Sequence, residues 1–270
     1  GTTDAVDAMI AGLNREGFAV LAVAIRSLRD TESIHLLRQL IDQHGPAIIL
    51  NATSFAASSA AEPRQSAILE RANCPILQIA FAAEQEEIWQ ASSRGLGPRD
   101  LAMNVAMPEV DGRIFTRAVA FKASAAFDER TQCNIVTPKP VLDRMAFVAK
   151  LAANWARLKQ TPVQHRHVAL ILANYPNQDG RIGNGVGLDT PASVIAILEA
   201  MQSAGYQVDN APSDTAALMA LINDGVTNSR VSQSRRSEAI LPLADYQRYV
   251  AQISPTAQQM MTDQWEEPQG

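Results

Sequence analysis

The residues best suited to chemistry in this chain lie in two loops. The first, Asn174 to Asp189 (NYPNQDGRIGNGVGLD), holds four glycines, one proline and the charges Asp179, Arg181 and Asp189 in sixteen residues. A glycine-rich loop ahead of a helix invites a nucleotide reading, but the details refuse it. Gly183 and Gly185 are followed by Leu188 where a dinucleotide fingerprint needs its third glycine, and a Walker A loop needs a lysine that the stretch lacks. Asp179 and Arg181 remain, able to bind an anionic ligand or each other, and both readings stay open. The second loop, Pro108 to Gly112 (PEVDG), carries Glu109 and Asp111. Asp-Gly is a tight-turn dipeptide, so these two read first as solvated carboxylates of a hairpin turn. His165 and His167 have no cysteine or carboxylate at ligand spacing and read as solvated, while His35 and His44 belong to a helix face and a helix end. There is no Gly-x-Ser-x-Gly elbow, and no metal site is expected.

The elements that must position these loops follow from periodicity. Val168 to Ala173 is an apolar run of strand length. After the loop, Thr190 as cap, Pro191 in the first turn, a stripe of Val194, Ile197, Leu198 and Met201, and Gly205 as stop spell a helix. A sixteen-residue strand-to-helix connection is far longer than the usual ~2–6 and suggests function. Upstream, helices are expected from Thr3 or Asp4 and from Asp30 or Thr31 to Gly45-Pro46. Strands are expected at Phe18–Val23, Ala47–Leu50 and Cys74–Ala80, with loops near Asn51 and Ala82 at the strand ends where ligands of parallel sheets sit. Leu101–Met107 and Ile114–Phe121 read as a further strand pair, Lys122–Pro140 as irregular, and Val141–Leu158 as a long helix. Downstream come a short strand at Tyr206–Val208, a helix near Thr215–Ile222, a polar loop at Thr227–Ser237, and two short helices parted by Ser254-Pro255. The expectation is an α/β protein of two lobes, 1–160 and 161–270, each with a mostly parallel, Rossmann- or flavodoxin-like sheet flanked by helices. The helical start and the closing WEEPQG suggest a chain cut from a longer one.

Composition narrows the classes. With 270 residues, 47% hydrophobic and 19% charged, the chain suits one large or two smaller globular domains. A net charge of −5 with no basic stripe argues against nucleic acid, and no apolar run nears the ~20 residues of a membrane span. Cys74 and Cys133 form no CxxC pair and fit free thiols in a reducing, cytoplasmic setting.

Several stretches together resemble one family. Asn174 to Ser193 resembles the signature stretch of the CobN subunit of aerobic cobaltochelatase, which is related to the H subunit of magnesium chelatase. The likeness continues through Ser92 to Ile114 (SSRGLGPRDLAMNVAMPEVDGRI), Thr116 to Ala123, Asp143 to Leu158 and Leu241 to Val250. The resemblance implies an internal piece of a large tetrapyrrole-binding subunit, inactive by itself. In the cobalt branch that subunit inserts Co2+, a substrate, into hydrogenobyrinic acid a,c-diamide during cobalamin synthesis. ATP is hydrolysed by a separate AAA+ partner acting with a third subunit, so no cofactor is expected on this piece, in keeping with the missing Walker lysine. It further implies that the 108–112 and 174–190 loops border the tetrapyrrole, with Glu109 or Asp179 as the catalytic base or metal relay. Asn174, Tyr175, Arg181 and Asn184 would bind substrate, Arg181 through a substrate carboxylate. Two alternatives stand beside this: a scaffold or docking region for the AAA+ partner, and a magnesium chelatase H subunit acting on a porphyrin.

Overall fold

The computed structural model describes residues 3–58, 68–173, 182–224 and 240–266, and the chain divides into two units, Gly1–Pro162 and Val163–Gly270.

In the first unit, α1 (Asp4–Arg15) starts without a side-chain cap, Thr3 making none. The helix α2 (Thr31–His44) starts on Asp30, whose carboxylate accepts from the Ser33 N–H at 2.9 Å, and stops at Gly45 with φ 52°. Both ends follow ordinary capping chemistry. A four-stranded sheet of β1 (Ile49–Asn51), β2 (Ile76–Ala82), β3 (Ile114–Asp128) and β4 (Cys133–Pro140) runs in that spatial order. The first three strands are parallel, and β4 closes against β3 as an antiparallel hairpin. Between β2 and β3 lie α3 (Glu86–Gln90) and a helical run of α4 (Pro98–Asp100), a π-helical segment Leu101–Ala106 and α5 (Met107–Val110). The helix α6 (Leu142–Gln160) follows the hairpin.

Helices cover both faces of the sheet. On one, α1 and α6 bring Met9, Leu13, Met145 and Val148 onto Leu77, Ile79 and Val119. On the other, Leu37 of α2 joins Leu28, Leu69 and Ile76. Helices on both faces are what parallel strands require, because each strand is buried on two sides.

The second unit contains α7 (Thr190–Ser203), α8 (Thr215–Asp224), α9 (Leu243–Val250) and α10 (Pro255–Trp265), with Val194 of α7 and Leu218 of α8 buried. Asp189, not Thr190, caps α7, accepting from the Ala192 N–H at 3.0 Å. Ser254 caps α10 in the same way.

Several sequence expectations are overturned. Phe18–Val23 forms no ladder; Phe18 and Val20 are satisfied instead by packing on the α1–α6 core. Leu101–Met107 is helical, because Asp100 and Asn104, four residues apart, share a buried face and a 3.1 Å hydrogen bond. Asp111-Gly112 ends a helix rather than turning a hairpin: the Gly112 N–H donates to Glu109 and the Arg113 N–H to Pro108, with φ 71° at Gly112. Lys122–Pro140 is ordered into the β3–β4 hairpin. In the second unit, neither Val168–Ala173 nor Tyr206–Val208 pairs into a sheet among the described residues. Val168–Ala173 lacks the burial that an apolar strand needs, Ile171 being 92% exposed. The expected second sheet is therefore not present among the described residues.

Candidate functional site

Buried polar side chains of the first unit collect where β1 ends, beside Gln78 early in β2 and Arg113 just ahead of β3. Asn51 and Gln78 are register partners on these strands, and Asn51 Nδ2 donates to Gln78 Oε1 at 2.7 Å. Gln78 is 0% exposed, and its Nε2 donates at 3.1 Å to the carbonyls of Thr53 and Ile79. Arg113 Nη1 reaches the Thr53 carbonyl and Gln78 Oε1 at 3.4 Å. Its Nη2 donates to Asp111 Oδ2 at 2.6 Å, both side chains being 1% exposed. Two amides and an ion pair buried together would be costly if any lacked a partner. Among the described residues, no buried side-chain nitrogen or oxygen does.

This network holds the loop after β1. Asp111 accepts from the backbone N–H groups of Ala57 at 2.6 Å and Ser58 at 3.0 Å, and also from the Ser58 hydroxyl. Ser54 Oγ donates to Asn104 Oδ1 at 2.6 Å, and Asn104 in turn donates to Asp100, which also accepts from the Ala83 N–H at 2.8 Å. The loops after β1 and β2 are thus tied to the α4–α5 run. Burial alone would push the Asp111 carboxyl up. The donors from Ser58, Ala57 and Arg113 outweigh it and hold the carboxyl below the ordinary carboxylate range. Burial lowers Arg113, with Asp111 opposing that shift.

Between these ties the loop is strained. Phe55 has φ 68°, a conformation a bulky L-residue adopts at a cost of about 1–3 kcal/mol, and is held there by its N–H donating to the Met103 carbonyl at 2.9 Å. Strain of this kind persists only where surrounding contacts enforce it. Phe55 is 52% exposed and borders a concavity of about 200 Å3 with Arg29, Ser54, Ala56 and Met107. The helical run is itself irregular before Pro108. Proline has no N–H for the carbonyl four residues back, and its ring crowds that carbonyl; the chain widens into the π-helical segment ahead of it.

The sequence-predicted residues fall as follows. Glu109 is exposed on α5, two residues from Met107 at the rim of the concavity. Its neighbour Asp111 is not the solvated turn carboxylate that Asp-Gly suggested; it is buried because it clamps the 57–58 backbone. Asn184 belongs to the second unit. It is half-buried in a turn with φ 65° at Gly183 and 73° at Gly187, closed by the Leu188 N–H donating to Gly185 at 3.3 Å. Asn174, Tyr175, Asp179 and Arg181 lie outside the described residues. His35, His44, His165 and His167 are exposed, and no cluster of three His, Cys, Asp or Glu side chains able to hold a metal ion occurs among the described residues. Sequence reasoning missed Gln78, Arg113, Phe55 and Arg29. The one available signal was polar: a glutamine inside the apolar run Cys74–Ala80, and an arginine just before a strand.

The whole chain, residues 1–270, matches the family model described as CobN/Magnesium Chelatase. It is 40% identical over 269 residues to the aerobic cobaltochelatase subunit CobN of Sinorhizobium sp, covering 100% of this chain and 21% of that protein. It is 39% identical over 258 residues to the CobN subunit of Pseudomonas aeruginosa, covering 95% of this chain and 20% of that protein. Among solved structures, the catalytic subunit of cobaltochelatase from Mycobacterium tuberculosis superposes with a TM-score of 0.76 at 30% identity, over 100% of this chain and 22% of that one. Magnesium-chelatase H subunits are more distant, at 26–28% identity over 52–58% of the chain. The chain spans about a fifth of the length of the CobN relatives it matches.

Proposed function

The chain belongs to the CobN/magnesium chelatase family, and we propose that it supplies part of the tetrapyrrole-binding large subunit of a cobaltochelatase. The reaction would insert Co2+ into hydrogenobyrinic acid a,c-diamide in cobalamin biosynthesis. An AAA+ partner and a third subunit would couple the step to ATP hydrolysis, giving a ligase-type chelatase. The cobalt branch is favoured over a porphyrin-metallating H subunit by 40% identity across the chain against 26–28% across about half of it. A partner motor is in keeping with a glycine loop that has no Walker lysine.

Metal insertion requires that inner N–H protons leave the macrocycle and that the ion shed its water. Both steps are helped by a positioned carboxylate, which accepts a proton or takes up the ion in passing. The observation that carries the reading is the division of labour within PEVDG. Asp111 is spent on locking the loop after β1, and Glu109, two residues earlier on α5, stays exposed. Glu109 is the proposed proton acceptor or metal relay. In the second unit, Asp179 is the alternative base, Arg181 the partner of a substrate carboxylate, and Asn174, Tyr175 and Asn184 further substrate contacts.

The test uses the full-length subunit that contains this chain. Titration with the metal-free corrinoid, followed by absorbance, should show saturable binding. Alanine at Arg181 should weaken that binding, and alanine at Glu109 or Asp179 should slow insertion with the partner subunits present. Wild-type affinity and insertion rate in all three variants would sink the residue assignment. A subunit that binds the motor but no corrinoid would replace the proposal with a docking role.

A further inference from the structure

We propose that the concavity between the turn at Ser27–Arg29 and the loop at Ser54–Ala56 is a subsite for one carboxylate-bearing side arm of the tetrapyrrole, with Arg29 as its counter-charge and Phe55 as the apolar wall beside the ring. This inference rests on the tetrapyrrole reading above.

Size is the first argument. Sites that enclose a whole small ligand have volumes of roughly 300–1,000 Å3, whereas this concavity measures about 200 Å3. It takes an appendage of a ligand, not a macrocycle. Charge is the second. Arg29 donates from Nε to the Ala56 carbonyl at 3.1 Å and from Nη2 to the Ser58 carbonyl at 2.9 Å. These bonds fix the guanidinium on the rim but leave its charge uncompensated, and no carboxylate pairs with it among the described residues. A planar cation held by neutral carbonyls, with Nη1 making no hydrogen bond among the described residues, is a preformed receptor for a carboxylate. Shape is the third. Phe55 is kept in the left-handed region by the Met103 carbonyl while about half of its surface stays in water. A large apolar side chain that is both strained and exposed contributes little to the core, and it suits an apolar ring edge lying over the subsite. Met107, from the helix that carries Glu109, completes the lining. The arm would seat the macrocycle against the start of the helix that carries the proposed base.

Two probes separate the parts of the claim: a metal-free corrin with free peripheral carboxylates, and the same ring with those carboxylates converted to amides. Both are titrated into the full-length subunit by absorbance. Arg29→Gln should weaken the carboxylate probe by roughly tenfold to a hundredfold, as expected for loss of a charged hydrogen bond, and leave the amide probe unchanged. Phe55→Gly, which fits the backbone at that φ, should weaken both probes. Equal affinities of wild type and Arg29→Gln for the carboxylate probe would overturn the subsite, as would equal weakening of both probes by Arg29→Gln, which marks a merely structural arginine. A wild-type subunit that binds neither probe would overturn the tetrapyrrole reading beneath it as well.

Discussion

Replacing Asp111 by asparagine tests the clamp that organises the candidate site. Each carboxylate oxygen takes two donors. Oδ2 receives the Ala57 N–H and Arg113 Nη2, and Oδ1 receives the Ser58 N–H and hydroxyl. An amide of the same shape keeps only one oxygen, so either orientation turns its NH2 toward two donors. Facing Ser58 is the cheaper choice, because the hydroxyl can turn and accept, yet the Ser58 N–H is left without a partner at about 1–3 kcal/mol. Arg113 meanwhile loses its counter-charge while 1% exposed. Breaking a buried ion pair from one side costs about 3–5 kcal/mol, and this figure sets the expected loss for Asp111→Asn. It is a large share of the roughly 5–15 kcal/mol that stabilises a typical domain. Urea unfolding of the chain gives the value directly, and amide exchange at Ala57 and Ser58 should speed up with it. Adding Arg113→Gln should recover part of the loss through a coupling of at least about 1 kcal/mol. A single-variant loss below about 1 kcal/mol, with unchanged exchange at Ala57 and Ser58, would refute the clamp.

Further outcomes follow from the same geometry. Because the folded carboxyl of Asp111 titrates below its unfolded value of about 3.9, its stabilisation is present above that value and is lost as pH falls through the lower folded value. The stability gap between wild type and Asp111→Asn should therefore hold from pH 7 to 5 and close below about pH 4; a gap constant down to pH 3 contradicts this. At Phe55, glycine should leave the chain about 1 kcal/mol more stable than alanine does, since alanine keeps the left-handed penalty and glycine does not. Thermal unfolding of the two variants decides it, and an alanine variant as stable as the glycine one would count against strain.

Local chemistry was legible where it acts over a few residues. Asp30 and Gly45 bracket α2 as their types suggest, and the Val141–Leu158 periodicity is realised in α6. The apolar run at Cys74–Ala80 is realised as β2, and loops at Asn51 and Ala82 do sit at the strand ends. Long-range pairing was not legible. Lys122–Pro140 read as irregular, yet it forms the hairpin; β4 holds Pro138 and Pro140 because it is an edge strand, where a missing N–H does not interrupt the sheet. Leu101–Met107 carried enough apolar residues to pass for a strand, and its helix is decided by the buried Asp100–Asn104 pair, whose burial depends on the loops folded over it. The same holds for the site. Glu109 was visible as a carboxylate in a turn-like motif, whereas the network of Gln78, Arg113 and Asp111 exists only once β1, β2 and α5 meet. The positive φ of Phe55 has no signal in residue type, since nothing in the chemistry of phenylalanine favours it.

Glu109, exposed on α5 two residues before the buried Asp111, is the proposed participant in metal insertion. Its most direct test is single-turnover insertion of Co2+ by the full-length subunit with its partners, comparing wild type with Glu109→Gln at saturating corrinoid. Glu109 is exposed and the substitution keeps its shape, so corrinoid affinity and stability should match wild type while the insertion rate falls by about a hundredfold or more, the usual contribution of a positioned acid–base group. Insertion at the wild-type rate, with corrinoid saturation verified, would contradict the account.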